Sequence, residues 1–305
     1  MCGIVAGISN KNVLPKLIEG LEHLEYRGYD SAGVAILNGS IRRVRSTGRV
    51  TSIKTKVQKT KLEGLIGIGH TRWATHGGVT EENAHPHISN NKIALVHNGI
   101  IENHEEQSAR LKKLGYKFES ETDTEVIAHL IDHYHKKNDL LKSTQLATKD
   151  LTGAYAIAVI SIDNKDEIIC ARLGCPLIIG QGKSEYFAAS DISALIAITR
   201  KVIYLEDGDF AKLTKNRLEI FGSNLKKVKR KVVPTYTFNR NQPIKGQYQT
   251  VLADLEKEQE KLEGLQDSLR RGVASSYLLK PITLIQRKIS SIPYEKTKLE
   301  RKIAE

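Results

Sequence analysis

The sequence predicts an α+β protein in which antiparallel sheets are stacked and helices cover their outer faces. Two patterns support this fold class. Short apolar runs separated by turns fill residues 153–233 and indicate a series of strands, whereas apolar residues at helical spacing are concentrated before residue 150. Because helices do not separate these strands, we expect them to pair in antiparallel sheets.

The individual elements follow from the same patterns. A short strand follows Cys2, and Asn38-Gly39 between two apolar runs is a strong hairpin signal. Helices are predicted at 13–24, 52–62, 104–114, 124–136 and 140–149. Strands are predicted at 32–37, 41–45, 65–69, 93–96, 155–161, 167–172, 177–180, 201–205, 209–213 and 217–221. Polar clusters follow the strands at 65–69 and 93–96, and such clusters at strand ends are typical of functional sites.

The chain of 305 residues exceeds one ordinary domain, and its composition changes near residue 234. We expect a core domain over 1–235, a linker at 236–248 and a charged helical tail at 249–305. The tail carries leucines in a near-heptad repeat among Glu, Lys and Gln, namely Leu252, Leu255, Leu262, Leu265 and Leu269. It has too few apolar residues for a large core of its own.

The charge and cysteine content narrow the class of protein. The formal net charge is +12, but Lys and Arg are spread along the chain and only 6% of residues are aromatic, so nucleic-acid binding is not expected. The basic cluster at 226–231 is interpreted as a strand with one solvated face. Three cysteines without metal-type spacing suit a reducing compartment. No apolar run approaches the roughly 18 residues of a membrane span, so we expect a cytoplasmic protein without membrane contact.

Cys2 is the first candidate for chemistry. If Met1 is removed, Cys2 carries both a thiol and a free α-amine, whose pKa of about 7.7–8.0 allows it to take the thiol's proton near neutrality. A nucleophile and its base then belong to one residue. The alternative is a cysteine that only packs as a small apolar side chain.

The polar clusters supply the other parts that cleavage of a carboxamide requires. Asn98 and Gly99 could form an oxyanion hole from a side-chain NH2 and a backbone N–H, or simply a tight turn. Arg72 could bind a carboxylate in a bidentate manner, or form a surface salt bridge. Asp123 could accept an ammonium group, or act as a helix N-cap. Trp73 could seal the pocket, or belong to the core.

The histidines give a weak signal for a metal. His76, His85, His87 and His97 lie close in sequence, but their spacing is irregular and no thiolate accompanies them. We therefore expect neither a metal nor another cofactor.

Several motifs, in the same order, resemble the glutaminase domain of the glutamine–fructose-6-phosphate aminotransferase family. They lie at residues 1–5, 26–33, 70–77, 83–87, 96–103 and 120–125, and further similar motifs lie at 153–155, 174–177, 189–191 and 205–209. The resemblance covers residues 1–235. It implies a four-layer αββα N-terminal-nucleophile hydrolase fold with the helical tail added at the C-terminus. The motif around Arg72 differs from those of phosphoribosyl amidotransferases and asparagine synthetases.

The resemblance also implies a role for each site residue. Cys2 would attack the side-chain amide of L-glutamine, and Asn98 with Gly99 would hold the oxyanion. Arg27 would order the nucleophile. Substrate contacts are implied for Arg72, which would bind the α-carboxylate, for Asp123, which would bind the α-ammonium group, and for Thr75 and His76, which would line the pocket. Trp73 would control the exit of ammonia.

The family has sugar-isomerase domains after its glutaminase domain, and residues 273–305 do not resemble them. We therefore expect glutamine hydrolysis from this chain, with amination of fructose 6-phosphate only if a separate isomerase subunit supplies that site. The segment 246–305 is the candidate contact for such a subunit or for a second copy of the chain. The alternative is a non-catalytic glutamine-binding or scaffolding module that acts through the tail.

Overall fold

The computed structural model describes residues 2–74 and 77–234, which belong to a compact unit, Met1–Thr235. The predicted linker at 236–248 and tail at 249–305 lie outside the described residues. The strands are β1 Gly3–Ser9, β2 Ser31–Asn38, β3 Ser40–Thr47, β4 Ile66–Arg72, β5 His87–Ser89, β6 Ile93–Ile101, β7 Gly153–Ser161, β8 Asn164–Leu173, β9 Ile178–Gln181, β10 Glu185–Ala189, β11 Lys201–Tyr204, β12 Phe210–Leu213, β13 Leu218–Phe221 and β14 Val232–Pro234. The helices are α1 Leu14–Leu24, α2 Val50–Thr60, α3 His104–Lys113, α4 Asp123–His135 and α5 Leu140–Lys149.

The strands form two antiparallel sheets. The first sheet has eight strands in the order β14-β11-β9-β10-β1-β4-β2-β3, and the second has six in the order β13-β12-β8-β7-β6-β5. Strand β1 lies inside the first sheet, between β10 and β4. The chain therefore enters the fold in a strand that is paired on both sides, which fixes the position of Cys2 at its start.

Three apolar clusters define four layers. Ile4, Ala6 and Ile8 of β1 pack between the sheets with apolar residues of β6, β7 and β8. Val5 instead belongs to the cluster between the first sheet and helices α1 and α2. A third cluster joins helices α4 and α5 to the outer face of the second sheet. The layers are thus helices, sheet, sheet and helices, and the expected αββα arrangement is confirmed.

Alternation along the strands decides which polar residues face the space between the sheets. Ile66 and Ile68 of β4 belong to the inter-sheet core, so His70 and Arg72 continue the inward-facing series. On β6, Ala94 and Val96 are in the same core, and Asn98 follows them at the next inward position. The polar end of the inter-sheet space therefore receives side chains from both sheets.

Most predicted elements are confirmed to within a few residues, and the differences have physical reasons. Strands β4 and β6 continue into the polar clusters, because their backbones stay paired with β1, β2 and β7 beyond the last apolar residue. Strands β5 and β10 were not predicted: β5 has only three residues, and the place of β10 in the first sheet is set by its pairing with β1 and β9. The interpretation of 226–231 as a strand is wrong: only Lys227 forms an isolated bridge, and β14 begins at Val232.

No helix in the described part of the chain is long and apolar enough to cross a membrane.

Candidate active site

Cys2 lies at the start of β1 and contacts the backbone that follows β4. Its Sγ accepts a hydrogen bond from the Trp73 N–H at 3.3 Å, and the thiol is 3.5 Å from the Trp73 carbonyl oxygen. Pairing of Gly3 with Thr71 brings the end of β4 to Cys2. The Trp73 ring is 53% exposed, so the core alternative for this residue is wrong. Its contact with the thiol is made by backbone atoms.

The environment keeps the Cys2 thiol protonated at neutral pH. Burial raises its pKa above the ordinary value, and the negative charge of Asp30 acts in the same direction. The Trp73 N–H, the chain's amino terminus and Arg72 act in the opposite direction without reversing the shift. Because the thiolate is the nucleophilic form, chemistry at Cys2 requires a base that removes this proton.

Asn98 lies across the inter-sheet space from Cys2. Its Nδ2 donates to the Cys2 carbonyl oxygen at 3.1 Å, and its Oδ1 is 2.9 Å from His70 Nε2. The same His70 nitrogen is 2.9 Å from the carbonyl oxygen of His97. Asn98 is within β6 and paired with Ala156, so the tight-turn alternative is wrong for Asn98-Gly99.

Gly99 has a backbone conformation and a packing that exclude a side chain. Its φ is +140°, and a Cβ at this position would lie 1.9 Å from the carbonyl oxygen of Ala154. Only glycine allows β6 to approach β7 this closely while keeping the positive φ. The local sequence thus places an unobstructed backbone next to the Asn98 amide.

Arg72 is buried and holds the loop that follows it. Its Nη1 donates to the carbonyl oxygen of Gly78 at 3.0 Å, and its Nη2 donates to that of Gly77 at 3.3 Å. The surface salt-bridge alternative is therefore wrong. The guanidinium also borders the cavity that Cys2 lines, so it presents a fixed positive charge close to the thiol.

Asp123 begins α4, is buried and lines the same cavity. Its Oδ2 accepts a hydrogen bond from the Ile101 N–H at 2.8 Å, which attaches the start of α4 to the end of β6. The N-cap position belongs to Thr122, so the alternative of Asp123 as an N-cap is wrong. A carboxylate held in this way is a fixed negative charge at the wall of the cavity that Cys2 also lines.

Arg27 contacts residues 190 and 191, which follow β10, and through them it affects β1. Its Nη1 donates to the Ser190 carbonyl oxygen at 3.1 Å and to Asp191 at 3.3 Å. Ser190 in turn holds Ile4, because its Oγ accepts from the Ile4 N–H at 3.0 Å and its own N–H donates to the Ile4 carbonyl oxygen at 3.1 Å. Arg27 therefore supports the strand behind Cys2 through Ser190.

Asp30 lies in the motif at 26–33, and no role was predicted for it from the sequence. Its carboxylate accepts from the Ala74 N–H and, at 2.9 Å, from the Ser31 hydroxyl. Its N–H donates to the Arg72 carbonyl oxygen at 3.1 Å. Asp30 thus fixes the backbone on both sides of Trp73 and raises the pKa of Cys2 by its charge, an effect secondary to burial.

A cluster of buried histidines lies behind the oxyanion-hole candidates. The rings of His70 and His85 are stacked with centroids 4.0 Å apart, and His85 meets His87 edge to face at 4.8 Å. Burial lowers the pKa of His70 and of His87 to about 3 and that of His85 well below its ordinary value, so all three are neutral. In the described part of the chain, no group of His, Cys, Asp or Glu side chains has a geometry that could hold a metal ion.

A small, partly open cavity of about 20 Å³ lies between these side chains. Its lining residues are Cys2, Arg72, Trp73, His85, His97, Gly99, Thr122, Asp123 and Thr124. The residues on its walls include a cysteine, an arginine and an aspartate, which carry a thiol, a guanidinium and a carboxylate.

The structure brings together most of the residues predicted from the sequence. Cys2, Asn98, Gly99, Arg72 and Asp123 surround one point, and Trp73 joins them through its backbone. Arg27 is a supporting residue. Thr75 and His76 lie outside the described residues, and their predicted pocket contacts stay predictions. Sequence reasoning missed Asp30, His70 and Ser190. They lie in the motifs at 26–33, 70–77 and 189–191, but their roles depend on strand pairing, which the motifs do not define.

The sequence comparisons agree with this geometry. The profile of a family described as "Glutamine amidotransferase domain" matches residues 70–197. Over 226 residues the chain is 58% identical to glutamine–fructose-6-phosphate aminotransferase (isomerizing) of Xylella fastidiosa, covering 73% of this chain and 37% of that enzyme. The corresponding enzyme of Neisseria meningitidis is 56% identical, with 72% and 36% covered. The chain thus spans little more than a third of the length of these curated relatives.

A solved structure shares the fold. Glutamine phosphoribosylpyrophosphate amidotransferase from B. subtilis superimposes with a TM-score of 0.64 at 27% identity, covering 74% of this chain and 50% of that one. The fold and the site define a class II glutamine amidotransferase domain with an N-terminal-nucleophile hydrolase architecture. Within that class, the domain is of the type found in the glutamine–fructose-6-phosphate aminotransferases, as the identity over 226 residues shows.

Proposed function

We propose that the chain, once Met1 is removed, hydrolyses L-glutamine to glutamate and ammonia through Cys2. One observation carries the proposal: Cys2, at the start of β1, lies close to Asn98, Arg72 and Asp123 at one end of the inter-sheet space. Together with Gly99 these residues supply a nucleophile, oxyanion donors and two opposite charges for the ends of an α-amino acid.

Each proton transfer in the proposed reaction has a defined donor and acceptor. In the mature chain the free α-amine of Cys2 takes the thiol proton, and the thiolate attacks the side-chain amide carbon of glutamine. Asn98 Nδ2 and the Gly99 N–H would stabilise the oxyanion, and the α-ammonium group gives its proton to the leaving ammonia. A water molecule then cleaves the Cys2 thioester, which releases glutamate and returns the proton to the thiol.

Substrate recognition uses the two fixed charges. Arg72 would bind the α-carboxylate of glutamine in exchange for the Gly77 and Gly78 carbonyl oxygens that it now contacts. Asp123 would accept the α-ammonium group through the oxygen that does not bind Ile101. Thr75 and His76 complete the proposed pocket, and the Trp73 ring is the proposed control on ammonia exit.

The destination of the ammonia is part of the proposal. The similar region of the relatives belongs to isomerizing aminotransferases named for glutamine and fructose 6-phosphate. We propose that the ammonia is used to aminate fructose 6-phosphate, a reaction of amino-sugar synthesis. This reaction would take place at a sugar-phosphate isomerase site on a separate subunit. Residues 246–305 would contact that subunit or a second copy of this chain. A cytoplasmic location fits the free Cys2, Cys170 and Cys175.

The test is ammonia release from glutamine by the purified full-length chain, with intact mass to verify that Met1 has been removed. We expect turnover by the wild type and none by Cys2→Ala. Cys170→Ala is the matched control, because Cys170 is buried in the inter-sheet core away from the cavity, and it should keep kcat within about twofold. Turnover by Cys2→Ala would refute the mechanism. Glutamine binding without ammonia release by a mature wild type would favour the non-catalytic module.

A further inference from the structure

His70 is a buried histidine on β4 to which neither the motif chemistry nor the comparisons give a task. It faces the inter-sheet space one position before Arg72 in the inward-facing series, and its side chain is completely buried. The ring reaches from the first sheet to the second, where Nε2 lies 2.9 Å from Asn98 Oδ1 and 2.9 Å from the His97 carbonyl oxygen.

The His97 contact identifies the tautomer of His70. A backbone carbonyl oxygen can only accept a hydrogen bond, so the nitrogen 2.9 Å from it must carry the proton. This assignment is independent of how the Asn98 amide is oriented. Nε2–H then also donates to the nearby Asn98 atom, which must be its oxygen. Nδ1 is left as an unprotonated nitrogen without a hydrogen-bond partner, as a neutral imidazole allows.

The orientation of the Asn98 amide follows from this donor. With Oδ1 held by His70, Nδ2 must point the other way, and it donates to the Cys2 carbonyl oxygen at 3.1 Å. A flipped amide would bring its oxygen against that carbonyl oxygen and its NH2 against the His70 N–H. Both contacts would be repulsive. The His70 N–H and the Cys2 carbonyl oxygen therefore select the same amide orientation, and His70 is the side chain that holds Oδ1 so that the NH2 faces Cys2.

The ring of His70 is itself held in place. It is stacked on His85 with centroids 4.0 Å apart and an interplanar angle of 21°, and His85 is fixed by a 2.8 Å hydrogen bond to Thr124 at the start of α4. Gly33 pairs with His70 in the neighbouring strand, and a Cβ there would lie 2.1 Å from the His85 carbonyl oxygen. Burial lowers the pKa of His70 to about 3, so the ring stays neutral with Nδ1 unprotonated throughout the working range of pH.

We propose that His70 is a positioning residue for glutamine hydrolysis, which fixes the Asn98 carboxamide with its NH2 toward the oxyanion that forms at Cys2. The inference rests on the proposed glutaminase function, because the oxyanion arises only in that reaction. His70 does not touch substrate. It acts through Asn98, so its effect belongs to the transition state and should appear in kcat rather than in KM.

The decisive experiment is a double-mutant cycle on the mature full-length chain, with glutaminase kcat and KM measured for each variant. Loss of one oxyanion donor costs about 10²–10³ in kcat, so Asn98→Ala should fall by that amount. His70→Leu removes the donor and should lower kcat by at least about tenfold with KM changed less than about threefold. In the Asn98→Ala background, His70→Leu should have no further effect on kcat, because no amide remains to be oriented.

Two further variants separate orientation from packing. His70→Gln places an N–H donor at nearly the same distance from Cβ and should recover kcat to within a few fold of the wild type. His129→Leu is the matched control: His129 is a buried histidine of α4 that contacts Ser89, Glu125 and the Lys117 carbonyl oxygen and does not line the cavity at Cys2. It should lower the melting temperature and leave kcat unchanged.

A measurement on the wild type covers the case that His70→Leu does not fold. Nitrogen-15 spectra of the histidine-labelled chain should show His70 as the neutral Nε2–H tautomer at pH 7, and the Nδ1–H tautomer would overturn the inference. Additive losses in the cycle, or an unchanged kcat in His70→Leu, would overturn the role of His70 while the function stands. A mature wild type without turnover would instead overturn the proposed function itself.

Discussion

At the scale of single residues, the site depends on where charges are placed around one thiol. Cys2 is partly buried, and its proton is retained because burial raises its pKa. Asp30 contributes to the same shift, whereas the Trp73 N–H stabilises the thiolate once it has formed. In this environment the thiol therefore stays protonated until a base removes its proton.

The charge of Asp30 can be tested separately from burial. Asp30→Asn keeps the size of the side chain and removes a negative charge that raises the Cys2 pKa, so the thiol pKa should fall. The pH dependence of Cys2 alkylation in the mature chain measures this shift. Asp163→Asn, in the turn between β7 and β8, is the matched control and should leave the profile unchanged. An unchanged or higher pKa in Asp30→Asn would contradict the assignment.

The chemistry of the site residues could be predicted from the sequence, but the residues that hold them in position could not. The candidate roles of Cys2, Asn98-Gly99 and Arg72 follow from the chemical groups that these residue types provide. His70 and Asp30 matter only because β4 pairs with β1 and because β6 faces β4 across the inter-sheet space. Strand register and sheet stacking are set by long-range packing, so they cannot be predicted from a local sequence pattern.

At the scale of elements, the helices were predicted most accurately. Helix α5 was predicted at 140–149 and is observed at Leu140–Lys149, because its apolar face is regular and Asp139 caps its first turn. Strand β6 was predicted to end at Val96 and continues to Ile101, because pairing with β7 outlasts the apolar run. The extension places Asn98 and Gly99 on a rigid strand instead of a loop, which suits groups that must be held in fixed positions.

Gly99 tests how closely β6 and β7 must approach. Gly99→Ala would add a Cβ 1.9 Å from the Ala154 carbonyl oxygen at a φ of +140°, so both a clash and backbone strain are introduced. Gly39→Ala is the matched control, because its φ is +71° but no atom lies within 4 Å of the new Cβ. We expect Gly99→Ala to lower the melting temperature more than Gly39→Ala and to abolish ammonia release. Equal decreases in the melting temperature of the two variants would show that β7 can shift to accommodate the new Cβ.

At the scale of the whole molecule, the two sheets are joined by apolar packing at most positions and by polar contacts at the end where Cys2 lies. Ile4, Val96 and Ala156 belong to one inter-sheet cluster, and the His70 to Asn98 hydrogen bond continues the same contact at the polar end. The buried histidines therefore take part in joining the two sheets. They are stable in this environment only while neutral, because charging them would place positive charges where water is excluded.

This couples the stability of the fold to pH. An unfolded histidine binds a proton with a pKa of about 6.5, whereas in the folded chain burial lowers the pKa of His70 and His87 to about 3 and that of His85 well below its ordinary value. Between these limits the unfolded state binds more protons than the native state. The free energy of unfolding should therefore fall as pH falls below about 6.5, by up to about 1.4 kcal/mol per pH unit for each histidine.

The measurement is urea unfolding of the full-length chain at pH 7.5, 6 and 5. His85→Gln removes one titrating group from the cluster, so its free energy of unfolding should fall less steeply below pH 6.5 than that of the wild type, by up to about 1.4 kcal/mol per pH unit. His23→Gln, at an exposed position of α1, is the matched control and should keep the wild-type slope. A wild-type stability that is level from pH 7.5 to 5 would mean that the cluster accepts protons without opening, and that neutral histidines are not required between the sheets.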